Sequence, residues 1–424
     1  ANDNVILHSS ENQIKGKTIT YTDSTQNLMI MDSTKTPYGA SIINDKQKIF
    51  GENILIHFKD SLIQNIAING DPLIYNTVEA KSSSNDELLS YFEDEMYGES
   101  IDVIYENNEP KELKIKGMAN SRYNVVDNLL YEGYNEVSGD TIVLSFINED
   151  IDRIQVEGGC RGAFYPNMLN SDLDTTIYYE ADKIDYRINE ELNYFYNNAI
   201  INHSDTELES EYIEVNWETN ELTSYKIDEI KPRVISADNR HPMIGDTLLY
   251  NLISKKGIVK KGRTELNDAF YHGKEIISDN TNDVYSYNGM YTSCNLDHPH
   301  YYFHSNKMKI VHDKHIIAKP ITLHIRDLPI LTFPFAILPN KGGNRKSGWI
   351  MPSLGYSQRN GTYLHHLGYY FVLNDYADMK FLSNFYDRKG LKLSSYARYK
   401  KRYRYNGNIS SIIVRNVNKD EQGI

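Results

Sequence analysis

The sequence contains few residues of several informative kinds. Only 2 cysteines occur among 424 residues, Cys160 and Cys294, and they lack the C-x-x-C spacing of zinc and redox sites. This count allows one disulfide between them or two free thiols. No run of about 20 consecutive apolar residues is present, so the sequence predicts no membrane-spanning helix. Signals for helices in general are scarce, with one candidate at 86–92.

Positive charge is also in short supply. The chain has 45 Lys and Arg against 58 Asp and Glu, which gives a formal net charge of −13. Because nucleic-acid affinity depends on neutralising phosphates with Lys and Arg, we expect no nucleic-acid partner.

Familiar catalytic motifs are missing from the sequence. It contains no Gly-x-Ser-x-Gly, no phosphate loop and no His-Glu-x-x-His. Histidines between His298 and His324, including the pair in His298-Pro299-His300, have the chemistry of metal ligands. The tyrosines among them favour ordinary strand and turn positions instead. We therefore expect no enzyme activity, no cofactor and no metal site.

Tyrosine, in contrast, is abundant. There are 34 Tyr against 13 Phe and 2 Trp, and hydrophobic residues make up 40% of the chain. Tyrosine favours β-strands and suits surfaces that are apolar on one side and wet on the other. The composition indicates an all-β protein with a large core.

A repeat of strands occupies the first half of the chain. Copies begin at Gly51, Gly98 and Gly139, each followed by an acidic residue, and a looser copy begins at Gly245. Within each copy apolar residues alternate, as at Ile54 and Ile56, which is typical of a strand with one buried face. A hairpin cannot bury such a face alone, so the copies must stack on one another.

The stacked hairpins predict an elongated, open β-jellyroll over 1–339, divisible into 1–165 and 166–339. Its interior is then a continuous apolar groove, although a closed solenoid with a filled core has the same pattern. Two sets of residues that share a strand face are expected to line the groove: Ile184, Tyr186, Ile188, Ile213, Val215 and Trp217.

The start of the repeat series predicts an exposed strand. Residues 13–21, with Ile14, Ile19 and Tyr21, precede the first copy. A strand without an earlier neighbour has free backbone groups that can pair with a partner protein.

The pattern changes near residue 340. Residues 340–348 are polar and glycine-rich, which indicates a hinge. Segments of about ten alternating residues follow, at 377–385, 391–399 and 403–413, as in strands of a transmembrane β-barrel. An amphipathic sheet packed on a soluble layer has the same alternation. Since a membrane barrel needs at least about eight strands, we interpret 349–424 as its first strands and expect the chain to continue beyond Ile424.

Several motifs between 287 and 398 resemble the LptD family of outer-membrane lipopolysaccharide-assembly proteins, also called organic solvent tolerance proteins. They include Tyr291-Thr292-Ser293-Cys294, Leu328-Pro329-Ile330-Leu331-Thr332-Phe333-Pro334-Phe335, Arg345-Lys346-Ser347-Gly348-Trp349-Ile350-Met351-Pro352, Gly355-Tyr356-Ser357 and Tyr369-Tyr370. Residues 12–285 are similar to the OstA-like strand repeats of the family's periplasmic domain.

The resemblance implies a function in the Gram-negative outer membrane, with the N-terminal domain in the periplasm. Lipopolysaccharide arrives along a jellyroll bridge protein of the LptA type, and its acyl chains travel in the groove. It leaves through a lateral gate in a barrel that a lipoprotein of the LptE type plugs.

The resemblance also assigns particular residues. Pro352 cannot donate a ladder hydrogen bond in the first barrel strand, and Gly368 stands where the family typically has a second gate proline. Cys294 matches a family cysteine whose partner would lie beyond Ile424, whereas Cys160 has no family counterpart. The alternative function is a soluble β-solenoid of the cell envelope that serves in adhesion or bridging.

Overall fold

The computed structural model describes the chain except for residues 1, 9–11, 35–38, 84–87, 149, 237–238, 267–268, 280–282, 297, 312–314, 340–346, 351 and 417–424. The chain forms two compact units, Ala1–Lys260 and Lys261–Ile424.

The described residues are almost all in antiparallel strands, which confirms the predicted all-β class. The first unit contains β1 (Asn2–His8), β2 (Gln13–Thr22), β3 (Asn27–Met31), β4 (Ala40–Ile43), β5 (Gln47–Gly51), β6 (Asn53–Lys59), β7 (Leu62–Asn69), β8 (Leu73–Ala80), β9 (Ser90–Tyr97), β10 (Ser100–Glu106), β11 (Glu109–Asp127), β12 (Leu130–Ile147), β13 (Asp150–Pro166), β14 (Ile177–Arg187), β15 (Leu192–His203), β16 (Thr206–Asn216), β17 (Glu221–Tyr225), β18 (Arg233–Ser236), β19 (Asn239–Ile244) and β20 (Thr247–Asn251). The unit boundary falls within β21 (Gly257–Leu266).

Helical structure is limited, over the described ranges, to the 3₁₀ turn Ile188–Glu190. The helix predicted at 86–92 is wrong where it can be checked, because β9 already begins at Ser90; residues 86–87 lie outside the described residues. Among the described residues, no helix has the length and apolar character needed to cross a bilayer.

The strands of the first unit pair along two paths. Layer A contains β3, β6, β7 and β10, and layer B contains β4, β5, β8 and β9. Both paths continue into β11, which pairs with β10 through 112–116 and with β9 through 120–122. Each long strand from β11 to β16 therefore contributes one half to each layer, and β17 and β20 extend layer A.

The sequence repeat corresponds to the corners between these layers. The chain passes from layer B to layer A at Gly51, Gly98 and Gly139, and it returns at glycines that include Gly117 and Gly158. Gly158 has φ +86°, and the Asp140 side chain lies where its Cβ would be. The glycine repeat is thus a repeated bend, because a Cβ at each of these glycines would overlap a neighbouring side chain.

A ladder of isoleucines follows the corners on the inner face of layer A. Each member is a cross-strand partner of the next, and nearly all are shielded from solvent. The ladder comprises Ile30, Ile54, Ile68, Ile101, Ile115, Ile142, Val156, Ile184, Phe195 and Ile213. This apolar row is the core of the first unit, and it confirms the alternation predicted from sequence.

The strand at 13–21 does have an earlier neighbour, so the expectation that it is the exposed first strand is wrong. Strand β1 pairs with it, with Leu7 opposite Ile14, while β3 and β4 pair with its other edge. Ile19 is buried and Tyr21 is exposed. The outermost described strand at this end is β1, because residues 2–8 can form a ladder that the repeat pattern does not reveal.

The second unit begins with β22 (Ala269–Ser278), β23 (Val284–Thr292), β24 (Tyr301–Val311), β25 (His315–Lys319), β26 (Ile321–Ile325), β27 (Leu328–Phe333) and β28 (Ala336–Pro339). Its core consists of Tyr271, Met308, Ile310, Ile316, Ala318, Ile321 and Ala336.

A separate six-stranded antiparallel sheet follows the predicted change of pattern. It comprises β29 (Gly348–Ile350), β30 (Ser353–Ser357), β31 (Gly361–Asn374), β32 (Ala377–Tyr386), β33 (Gly390–Lys401) and β34 (Tyr405–Asn416). The predicted hinge lies largely outside the described residues, since 340–346 are not described. The division into compact units falls between Lys260 and Lys261, and the predicted domains 1–339 and 349–424 stay predictions.

The register of this sheet aligns apolar side chains on one face. Leu393 pairs with Ile413, and both side chains are exposed. On the other face Arg398 pairs with Asp378 and donates to its carboxylate at 2.8 Å. Tyr403 departs from the predicted strand, because it lies in the turn before β34 with φ 62°.

Candidate functional site

A large cavity lies inside the first unit. Its volume is about 1670 Å³, which exceeds the ~300–1,000 Å³ of typical small-molecule pockets. Side chains from both layers line it, including Ile49 and Ile74 of layer B and Val103 and Leu113 of layer A. The jellyroll is therefore open inside rather than a solenoid with a filled core.

The two walls have different chemistry. Layer A presents apolar side chains to the cavity: Val103, Leu113, Ile154, Val215 and Leu222. Layer B presents apolar side chains such as Phe164 and Ile201, but polar side chains lie among them. Charged residues such as Lys46, Asp127 and Arg187 come from strand ends and turns, which places them at the rim.

The structure separates the six residues predicted to line a groove into two groups. Ile188, Val215 and Trp217 line the cavity. Ile184 and Ile213 belong instead to the buried isoleucine ladder beside the corners, where they are fully enclosed by protein. Tyr186 is also buried. Ile184 and Ile213 are next to the corners, whereas Val215 and Trp217 lie further along layer A.

Tyr186 takes part in a hydrogen-bonded clasp between the layers. Its hydroxyl donates to Tyr179 Oη at 2.8 Å, and Tyr179 donates to Asn135 Oδ1 at 2.6 Å. Asn135 Nδ2 donates to Tyr123 Oη at 3.0 Å. Because Tyr186 lies in the layer A half of β14 and Tyr179 in the layer B half, these bonds join the two walls.

Asp94 is a buried carboxylate in the wall of layer B. Its side chain is 5% exposed, and its Oδ1 accepts the backbone N–H of Asn124 at 2.7 Å and Asn124 Nδ2 at 2.8 Å. Desolvation raises the pKa of Asp94 to about 6, although both hydrogen bonds act in the opposite direction. The sequence contains a signal for this inward carboxylate, because Asp94 shares one face of β9 with the apolar residues Phe92 and Met96.

The predicted gate residues lie in the six-stranded sheet. Strands β29 and β30 both pair with β31. Pro352 lies between these two strands and belongs to neither of them. Gly368 pairs with Ile350 on one side and Leu382 on the other, and a Cβ there would overlap the backbone oxygen of Phe381. Gly368→Pro would disrupt the sheet, so this substitution cannot test the role of Gly368 in the gate separately from folding.

Both cysteines are free thiols, so the disulfide candidate Cys160–Cys294 is not formed. Cys160 is buried, donates to the backbone oxygen of Asp182 at 3.3 Å, and has its pKa raised to about 11 by desolvation. Backbone N–H groups of Leu296 and His300 lower the pKa of Cys294.

The histidines of the second unit make aromatic contacts. His324 stacks on Tyr302, with ring centroids 4.8 Å apart, and meets His304 edge-on. Among the described residues, no group of three metal-binding side chains converges. His312 lies outside the described residues.

Comparison with known proteins gives consistent matches to one family. The family model described as LptD protein matches residues 316–423. The LPS-assembly protein LptD of Nitrosospira multiformis is 27% identical over 158 residues, which cover 37% of this chain and 17% of that protein. The protein of the same name from Ralstonia nicotianae is 30% identical over 112 residues, covering 26% and 14%.

A third relative, LPS-assembly protein LptD of Legionella pneumophila, is 35% identical over 95 residues, covering 22% of this chain and 11% of that protein. The chain therefore spans less than a fifth of the length of these curated relatives.

Proposed function

The chain belongs to the LptD family, and on that premise we propose that it carries lipopolysaccharide to the outer leaflet of the Gram-negative outer membrane. In this proposal the first unit is periplasmic and holds the acyl chains, and 349–424 are the first strands of the membrane barrel. The role is transport and requires no catalytic residue and no cofactor.

The cavity is the observation that supports this proposal most directly. It is large, it has charged residues from strand ends and turns at its rim, and its layer A wall is predominantly apolar. Transfer of an acyl chain from water into such a site is favourable by about 0.8 kcal/mol for each buried CH₂. A soluble solenoid used for adhesion has no need of an interior cavity, so the cavity favours transport over that alternative.

The exposed apolar face of the six-stranded sheet supports the membrane part of the proposal. Phe381, Phe385, Leu393 and Ile409 are all exposed there. Contiguous apolar surface of this kind is costly in water and is expected on strands that face lipid. We therefore expect residues 1–340 expressed alone to be soluble without detergent and the whole chain to require it.

Three partners complete the proposal. A periplasmic jellyroll protein of the LptA type would pair with the N-terminal edge, which is now β1 rather than the strand at 13–21. A lipoprotein of the LptE type would occupy the barrel. Pro352 would keep the hydrogen bonding of the first barrel strand weak, so that the barrel can open sideways.

Photo-crosslinking in the complete outer-membrane protein tests the groove. A crosslinker at Val215, which lines the cavity, should trap lipopolysaccharide, whereas one at the neighbouring Glu214 should not. Glu214 is the matched control because it is adjacent in the strand and points to the opposite face. Crosslinks at Glu214 alone, or at neither position under active transport, would refute the groove.

A further inference from the structure

Polar side chains of layer B form a row along the cavity. We call this row the polar track; it consists of Gln47, Asn76, Asp94, Tyr123, Asn135 and Tyr179, all of which line the cavity. The corresponding inward positions of layer A carry Val103, Leu113 and Ile154. The cavity is therefore amphipathic, with a hydrogen-bonding strip opposite a predominantly apolar wall, in which Asn193 is a polar member.

Strand register aligns two parts of the track. Gln47 lies opposite Asn76, and Asn76 lies opposite Asp94. Tyr123 lies opposite Asn135 on the next pair of strands. Since each member comes from a different strand, the track crosses the strands and follows the direction in which they stack. A ligand extended along the cavity would contact it over several strands.

The track has hydrogen-bonding capacity that the protein does not use. Asn76 Oδ1 accepts from Gln47 Nε2 at 2.9 Å, and Asp94 Oδ1 accepts both bonds from Asn124. Within the part of the chain that the structure describes, no hydrogen bond reaches Asp94 Oδ2. Buried polar groups are costly unless they are bonded, and layer A shows that an apolar row fits the same architecture.

The chemistry of the track limits what can occupy it. A carboxylate accepts strongly from hydroxyl and amide N–H groups, and it repels phosphate or another carboxylate. A plain hydrocarbon chain would leave Asp94 Oδ2 without a hydrogen-bond partner. A chain that carries a hydroxyl or an amide link beside its apolar tail satisfies both walls.

From these observations we infer that the polar track selects hydroxylated and amide-linked acyl chains over plain ester-linked chains, with Asp94 as a specificity-determining residue. The inference rests on the proposed function, since it requires acyl chains in the cavity. It adds a preference for lipids that carry hydrogen-bond donors next to their acyl chains. A wholly apolar groove would not have this preference.

The test compares two synthetic diacylglucosamine lipids of equal chain length on the complete protein. One carries amide-linked 3-hydroxyacyl chains, and the other carries ester-linked chains without hydroxyls. Competition for a photo-crosslinker at Val215 reports relative affinity. One charge-assisted hydrogen bond predicts about a tenfold preference for the hydroxylated lipid.

Two variants locate the preference. Asp94→Asn keeps the side-chain volume and an acceptor for Asn124, but it replaces the remaining carboxylate oxygen by a donor, so the preference should fall to roughly threefold or less. Met96→Leu changes the neighbouring inward position of the same strand without removing a polar group, and it should leave the preference unchanged.

The polar track and the proposed function predict different outcomes of this competition. Equal binding of both lipids to the unmodified protein would overturn the track and leave the proposed function intact. Failure of both lipids to compete would overturn the proposed function and the track with it. A preference that survives Asp94→Asn would remove the role assigned to Asp94.

Discussion

The hydroxyl of Tyr186 donates to the hydroxyl of Tyr179 across the two layers of the jellyroll, at 2.8 Å. Burial raises the pKa of both phenols well above the ordinary value, so both remain protonated. Since Tyr179 in turn donates to Asn135, three side chains join the walls of the cavity by neutral hydrogen bonds. The clasp therefore sets the distance between the walls at this section.

The clasp predicts a measurable contribution to stability. Tyr186→Phe removes the donor to Tyr179 while it keeps the ring, and a buried hydrogen bond lost in this way costs about 1–2 kcal/mol. Chemical denaturation should show the loss with Trp217 as the single reporter, in a Trp349→Phe background. The matched control is Tyr178→Phe, because Tyr178 is exposed. Equal midpoints for the two variants would mean that the clasp contributes nothing.

The corner glycines predict a difference between neighbours. Gly158 and Gly159 both have positive φ, at 86° and 58°, but only Gly158 lies against the Asp140 side chain; a Cβ on Gly159 meets no atom within 4 Å. Both alanine variants incur the backbone cost of roughly 1 kcal/mol. Gly158→Ala must also displace Asp140, so its denaturation midpoint should be the lower one. The opposite order would contradict the corner interpretation.

Asp94 predicts a pH-dependent stability. Its folded-state pKa of about 6 lies above the ordinary 3.8, so the fold favours the protonated form. The contribution to stability is present below about pH 4 and is lost as pH rises through about 6. Asp94→Asn should therefore stabilise the protein at pH 7.5 by roughly 2–3 kcal/mol, since one pKa unit corresponds to about 1.4 kcal/mol.

Denaturation curves of both proteins from pH 4 to pH 7.5 check this sign. The advantage of Asp94→Asn should shrink towards zero as the pH falls to 4. A constant difference would show that Asp94 does not titrate in this range.

Local patterns predicted the strands well, because alternation depends only on which face is buried. Ile54 and Ile56 follow it, and so do Leu393 and Ser394. What the patterns left undetermined depends on how strands are arranged in space. Ile184 and Val215 are equally apolar and inward, yet only the second lines the cavity, since Ile184 is a ladder residue next to a corner. The polar track likewise depends on register between strands, which no single segment specifies.

The exposed face of the six-stranded sheet predicts a strong contrast between adjacent residues. Leu393 lies on the apolar face, and Ser394 lies on the opposite one. If the first faces lipid, Leu393→Arg should cost about 2–4 kcal/mol near the bilayer centre and reduce the amount of protein in the outer membrane. Ser394→Arg should be tolerated. Equal membrane levels would indicate that this sheet packs on soluble protein instead.

The interruption at Pro352 leads to the last prediction. Strands β29 and β30 both pair with β31, and Pro352 lies between them. Pro352→Ala restores a backbone donor at the gap. An unmet donor costs several kcal/mol in lipid, so the restored group should recruit an acceptor and bias the barrel towards its closed form.

Surface lipopolysaccharide should then fall and lipopolysaccharide should accumulate in the groove, both measured at matched protein levels in the complete outer-membrane protein. Pro334→Ala is the control, because Pro334 lies between β27 and β28, outside the six-stranded sheet. A pure strand-entry role for Pro352 predicts normal export by both variants. The two substitutions remove the same ring and differ only in where a backbone hydrogen bond becomes available. Reduced export by Pro352→Ala alone would therefore show that the missing donor at Pro352 keeps the lateral gate weakly bonded.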